Sequence, residues 1–154
     1  MTAAGAAGTP REVVAAFWEA LYARDWAAVR SFFDDDSIYY DVPVGPAAAG
    51  RGPDSIEARL RLGLDTLSAY EHRHGQVVAE GDVVVTEHEE TWRWPTGESV
   101  TLPFVSVQHV RDGTITLWKD YWDQATLMDA APQSWHDRLD SADLSWVFDA
   151  TGLA

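Results

Sequence analysis

Three short stretches of this sequence place groups that can move a proton two residues apart from an aromatic or from one another: Tyr39-Tyr40-Asp41, His88-Glu89-Glu90 and Trp118-Lys119-Asp120-Tyr121-Trp122. Strand side chains alternate between faces, so residues two apart look the same way. The run Val83 to Trp94 reads as a strand, with Val84, Thr86, His88, Glu90, Trp92 and Trp94 on one face and Val85, Glu87, Glu89, Thr91 and Arg93 on the other. Thr116, Trp118, Asp120 and Trp122 share a face of a later strand, and Tyr39 and Asp41 share one of an earlier strand. Three carboxylates in an apolar pocket cannot all ionise, because desolvation and like-charge repulsion both raise their pKa values. Such a cluster titrates as a unit and holds a base and an acid together, as proton-transfer catalysis requires. The same alternation equally describes Trp residues on a solvated sheet beside ordinary surface charges, and parity alone leaves both readings open.

The elements that must position these groups follow from pattern. Thr9-Pro10 is a helix start, with Thr as N-cap and Pro at the first helical position. Val13, Val14, Phe17, Trp18, Leu21 and Tyr22 then recur at helical spacing. A short helix is expected over Trp26 to Phe33, a strand over Ser37 to Val42, and a loop over the Gly/Pro-rich stretch Pro43 to Pro53. Asp54 or Ser55 caps a third helix with the stripe Ile56, Leu60, Leu64 and Leu67. Strands follow over Gln76 to Glu80, Val83 to Trp94, Val100 to Arg111 and Thr114 to Asp123, the last two joined by Asp112-Gly113, a strong hairpin signal. Helices first and an antiparallel meander after them make an α+β plan with about three helices. The domain is expected over residues 9–129, with a loose N-terminal extension (1–8) and a C-terminal tail (130–154).

Composition narrows the partners. The 154 residues suit one domain. A net charge of −14 repels phosphate backbones and anionic surfaces, so neither nucleic acid nor membrane is expected as a partner. The absence of cysteine rules out disulfides and thiolate metal sites and fits the reducing cytoplasm. The first residues lack the basic and apolar regions of a signal peptide. Eight Trp are many for this length and point to an aromatic-lined pocket or a self-association surface. Trp135, Trp146 and Phe148 make the tail too apolar to be free; it is expected to cap the pocket or to cover a partner subunit in a homodimer. His72 and His74, two apart in a polar stretch read as loop, have no third ligand nearby in sequence, so no metal is expected. Glu87, Glu89 and Asp123 read as solvated.

Several strings together resemble the limonene-1,2-epoxide hydrolase family of the nuclear transport factor 2-like superfamily, which also holds the SnoaL-like polyketide cyclases and ketosteroid isomerase. They are Ser37 to Pro43, Thr86 to Glu90, Trp94 to Glu98 and, most specifically, Asp112 to Asp123 with its Trp-Lys-Asp-Tyr-Trp-Asp ending. The match runs from about Pro10 to Met128. The resemblance implies a cone-shaped fold, a curved antiparallel or mixed sheet around an apolar pocket, a small apolar substrate of terpenoid or polyketide type, no cofactor and commonly a homodimer. It also implies roles. Tyr39 falls on the family's water-binding Tyr and Asp120 on its base. The family's water-binding Asn is Asp41 here, its bridging Arg is His88, and its acid Asp is Glu90. These departures all fall in the presumed reaction centre. A protonated His88 is expected to bridge Asp120 and Glu90, with its pKa raised by the carboxylates, and Phe17, Trp92, Trp94, Trp118 and Trp122 are expected to line the substrate pocket.

Four activities fit this reading in descending order. The first is epoxide opening by water. The second is ring closure of the SnoaL-like type, by the substrate's own hydroxyl or by aldol chemistry. The third is isomerisation of the ketosteroid type, which needs an oxyanion hole where this chain has Phe17 and Val107. The last is binding without catalysis, which has no need of clustered carboxylates in a dry pocket.

Overall fold

The computed structural model describes residues 8–153; most of the expected N-terminal extension lies outside the described residues. Helix α1 (Pro10–Tyr22) opens with a reciprocal cap: the Thr9 hydroxyl accepts from the Glu12 backbone and the Glu12 carboxylate accepts from the Thr9 backbone. Its buried face is Val13, Val14, Phe17, Trp18 and Leu21. Helix α2 (Trp26–Arg30) is three residues shorter than its apolar spacing predicts. Strand β1 (Ile38–Asp41) leads through a 3-10 turn into β2 (Ala49–Arg51), inside the stretch expected to be all loop. Helix α3 (Gly52–Leu64) begins two to three residues before the expected cap, where Gly52 adopts a positive φ of 79° and Pro53 takes the first turn.

The meander is β3 (Ala69–Glu80), β4 (Val83–Arg93), β5 (Ser99–Arg111) and β6 (Thr114–Tyr121). The β5–β6 turn has Asp112 and Gly113 at φ 50° and 79°, the pair of positive φ values that a two-residue hairpin needs. Strand β3 is far longer than its apolar part, Gln76 to Glu80. Its first half, Ala69 to His74, pairs residue by residue with Arg93 to His88, so His72 and His74 lie in a strand and not in a loop. The supposed tail is folded too. Helices α4 (Gln124–Ala130) and α5 (Gln133–Asp140) and strand β7 (Val147–Phe148) bring the α-helices among the described residues to five instead of about three.

The seven strands form one curved, unclosed sheet in the order β3-β4-β5-β6-β1-β2-β7. It is mixed, since β1 runs parallel to β6, with Asp41 opposite Asp120. Helix α1 packs on β3, β4 and β5, and α5 packs on α3. The main core fills the space between sheet and helices, with Phe17, Trp18, Ile56, Leu60 and Trp118 near its centre.

Candidate active site

Between the concave face of the sheet and helices α3 and α5 lies a cavity of about 350 Å³. Its wall is apolar, built from residues such as Leu21, Leu60, Trp92, Leu102, Phe104, Trp118 and Leu127, and into it project Asp41, Glu90 and Asp120. The parity expectation for β4 holds along the strand, because Val84, Thr86, His88, Glu90 and Trp92 are all buried.

Each carboxylate has its own set of donors. On β6, Asp120 Oδ1 accepts from Ser106 Oγ and from Trp118 Nε1, both at 2.5 Å. Burial, and then the neighbouring charge of Asp41, push its pKa well above the usual carboxylate range, against the pull of those two donors. On β1, Asp41 accepts from Tyr39 Oη at 3.1 Å and Trp122 Nε1 at 2.8 Å, and it pairs with Arg59 Nη2 at 2.7 Å. Burial alone would lower the pKa of Arg59, but the Asp41 carboxylate more than offsets this and the guanidinium stays charged. On β4, Glu90 accepts from Tyr70 Oη at 2.8 Å, Tyr22 Oη at 3.1 Å and Trp92 Nε1 at 2.7 Å. Burial raises its pKa to about 7 in spite of those three donors. Burial likewise keeps the Tyr22, Tyr39 and Tyr70 hydroxyls protonated, with pKa values above their usual range. The cavity thus holds one ion pair and two carboxyl groups with raised proton affinity.

His88 does not join this set. Its ring is held between Trp18 (centroids 4.2 Å apart) and Phe104 (4.4 Å, stacked), and it does not line the cavity. No ion pair among the described residues involves a histidine, so the expected bridge from Asp120 through His88 to Glu90 is absent. Its Nδ1 lies 2.7 Å from His72 Nε2 instead. The expected rise in its pKa is also reversed: burial, and then the neighbouring His72 and His74, lower it to about 3. The reason is steric. Residues 88 and 90 share a face of β4, but Trp18 from α1 lies over that face and walls off the part that carries His88.

Trp92, Trp118 and Trp122 line the cavity. Phe17 and Trp94 do not. Phe17 is fully buried behind the wall, edge-on to Trp118 at 4.9 Å, and Trp94 packs behind Trp92 and against Trp135. Tyr39 lines the cavity, stacked on Trp118 at 3.8 Å, with its hydroxyl on Asp41.

Four contributors stand outside the sequence reading of the site: Arg59, Tyr22, Tyr70 and Ser106. Arg59 flanks Leu60 of the apolar stripe of α3, and nothing in that stripe marks it as turned toward the core. Tyr22 and Tyr70 hold Glu90. Ser106 holds Asp120, and its parity with Gln108 and Phe104 on β5 could have shown it. Trp135 and Trp146, two of the C-terminal residues expected to cap the pocket or to cover a partner, line the cavity, and Trp135 Nε1 donates to the Gly63 carbonyl at 3.1 Å. Gly63 matters sterically as well, because a Cβ there would meet the Trp92 ring at 3.3 Å.

Comparison with known proteins agrees with this architecture. The model of the SnoaL-like domain family matches residues 14–118. An LEH-like epoxide hydrolase from M. tuberculosis superposes with a TM-score of 0.66 at 28% identity, over 78% of this chain and 86% of that one. A protein from Shewanella denitrificans assigned to the SnoaL-like polyketide cyclases gives 0.70 at 17% identity, over 79% and 95%. A protein from Catenulispora acidiphila with a ketosteroid isomerase-like fold, in complex with trimethylamine, gives 0.69 at 21% identity, over 83% and 98%. No helix among the described residues is long and apolar enough to cross a membrane. The α+β architecture, the order of the strands and the match over most of the folded chain lead to one assignment: this chain belongs to the SnoaL-like domain family, on the nuclear transport factor 2-like fold.

Proposed function

We propose that this chain is an acid–base enzyme that opens an epoxide of a small apolar substrate with water. The observation that carries the reading is the presence, in one apolar cavity, of two carboxyl groups of raised proton affinity on different strands, Asp120 and Glu90, with the Asp41–Arg59 ion pair beside the first. A water bound against Asp120 and Asp41 loses a proton to Asp120 as its oxygen forms a bond to the epoxide carbon. The carbon–oxygen bond on the far side breaks, and the departing oxygen takes the proton of Glu90. The product is a diol, and Asp120 and Glu90 have exchanged one proton. High proton affinity makes Asp120 a strong base when ionised, and a pKa of about 7 leaves Glu90 a competent donor at neutral pH. Arg59 does not supply the bridge between base and acid that the family resemblance implies; it pairs with Asp41, next to the base. The likeness to the M. tuberculosis epoxide hydrolase supports this reading.

A second reading, ring closure by the substrate's own nucleophile, is favoured by the SnoaL-like family match itself. The acid and the base would be the same groups. Turnover of terpene epoxides and hydroxy-epoxides in isotopically labelled water separates the two: a diol carrying one labelled oxygen supports hydrolysis, and an unlabelled cyclic ether supports closure. Binding of these compounds without turnover would overturn both.

A further inference from the structure

The three histidines that the catalytic reading leaves unused lie together. His72 and His74 share a face of β3, and His88 sits directly opposite His74 on β4. One ring nitrogen from each lies within 4.8 Å of the other two. His72 Nε2 and His88 Nδ1 are already 2.7 Å apart. Three nitrogens at about 2.1 Å from a tetrahedral zinc ion are roughly 3.4 Å from one another, a spacing these side chains bracket. None of the three is paired with a carboxylate among the described residues, so an ion-pair network does not account for the cluster. His88 is buried, His72 half-buried and His74 exposed, so the cluster runs from the core to solvent. A second cavity, of about 370 Å³, is lined by His74 and His88 together with Glu87 and Glu89. It gives an ion a route to His74 and His88; Arg73, which also lines it, pairs with Glu89 at 2.6 Å.

We propose that His72, His74 and His88 form a binding site for one transition-metal ion of the zinc class, separate from the carboxylate cavity, with solvent completing the coordination. An all-imidazole donor set selects zinc, nickel, cobalt or copper over magnesium and calcium, which prefer oxygen ligands. His88 is the third ligand that the pair His72 and His74 lacks in the sequence, and the pairing of β3 with β4 supplies it. The site also reaches the cavity wall indirectly. The Tyr22 ring stacks on His72 at 3.6 Å, and the Tyr22 hydroxyl is one of the donors to Glu90. A metal that fixes His72 therefore braces α1 and the Glu90 shell from behind.

The test uses full-length protein without an affinity tag, stripped with chelator and titrated with Zn²⁺ by calorimetry and with Co²⁺ by visible absorption. The expected result is one equivalent bound, with the intense absorption of a four-coordinate cobalt centre and a rise in melting temperature on zinc addition. His74→Ala changes an exposed side chain and leaves the fold intact. It should weaken binding by at least about tenfold and abolish the cobalt signature, and His72→Ala should do the same. His109→Ala, on β5 and outside the cluster, is the control and should bind as the wild type does. Binding of equal strength and stoichiometry in the wild type and in His74→Ala, or no binding to the wild type above that seen with Mg²⁺, would overturn the proposal.

Discussion

Two buried polar clusters share the concave face of one sheet and are held in opposite ways. In the cavity, Asp41, Glu90 and Asp120 each accept two or three hydrogen bonds from Tyr, Trp, Ser or Arg side chains. Behind Trp18, His72 and His88 touch one another, and neither pairs with a carboxylate among the described residues. Burial drives Asp120 and Glu90 in the first cluster and His72 and His88 in the second toward neutrality, from opposite sides. It raises Asp120 and takes Glu90 to about 7, and it lowers His72 and His88 to about 3. Alternation along β4 assigns His88 and Glu90 to one face, and a single Trp from another element divides that face into two compartments. A strand pattern therefore reports a face, while the chemistry depends on the compartment.

The largest expected effect tests whether the first compartment is the catalytic one. Asp120→Asn should lower turnover of any accepted epoxide by about 10² to 10⁴, and Glu90→Gln by a similar factor. The amide at position 120 can still accept from Ser106 and Trp118, so melting temperature should hold while kcat falls. Near-full turnover in Asp120→Asn would remove Asp120 as the base and move that role to Asp41.

Next in size is the ion pair. The Arg59 and Asp41 side chains are only 11% and 16% exposed. Arg59→Met should leave a buried carboxylate without its cation and cost about 3–5 kcal/mol of unfolding free energy, measured by urea denaturation. Adding Asp41→Asn should restore most of that loss. If the two single changes simply add, the pair is not coupled.

These first two tests rest on residues that were unequally legible. Asp120, Asp41 and Tyr39 could be read because the Trp118 to Asp123 string and the alternation of β1 and β6 both point to them. Arg59 could not, since nothing in a helical stripe says that an Arg flanking it will meet an Asp eighteen residues earlier in the chain. The polar run from Glu71 to Gly75 read as loop because it lacks apolar alternation. It is nonetheless a strand, since β3 lies at the sheet edge and needs only backbone pairing with β4 to form. The segment after Ala130 read as tail because its helices and strand are short. Trp135 and Leu139, four apart, were the available sign of a helix face, and both line the cavity. The meander and its turns were legible because Asp112-Gly113 and strict alternation fix register locally.

The third effect is on stability as a function of pH. The folded pKa of Glu90, about 7, lies above its ordinary value of 4.5. The folded state therefore holds this proton more tightly than the unfolded chain does. The stability linked to it is complete below pH 4.5 and is lost as pH rises through about 7, by about 3 kcal/mol in all. Asp120, whose pKa burial also raises, acts in the same direction. In chelator-treated protein, Glu90→Gln should flatten the fall in urea-unfolding free energy between pH 5 and pH 8. An unchanged slope would mean that the carboxyl is hydrated and not held in a dry cavity.

The smallest effect concerns the donors that set Glu90's proton affinity. Tyr70 Oη, at 2.8 Å, gives the shorter of the two tyrosine hydrogen bonds. A donor to the ionised carboxylate favours that form, so each such bond lowers the pKa that burial has raised. Because Glu90 donates its proton to the departing oxygen, activity should fall as pH rises through about 7 and Glu90 ionises. Tyr70→Phe keeps the ring and removes the donor. It should move the falling limb to higher pH by up to about one unit, equivalent to about 1.4 kcal/mol, and leave the maximal rate within a few-fold. The sign matters more than the size. A limb that moved to lower pH would mean that Tyr70 accepts from a protonated Glu90. The same hydrogen bond would then raise the pKa of Glu90, and burial would no longer be working against all three of its donors.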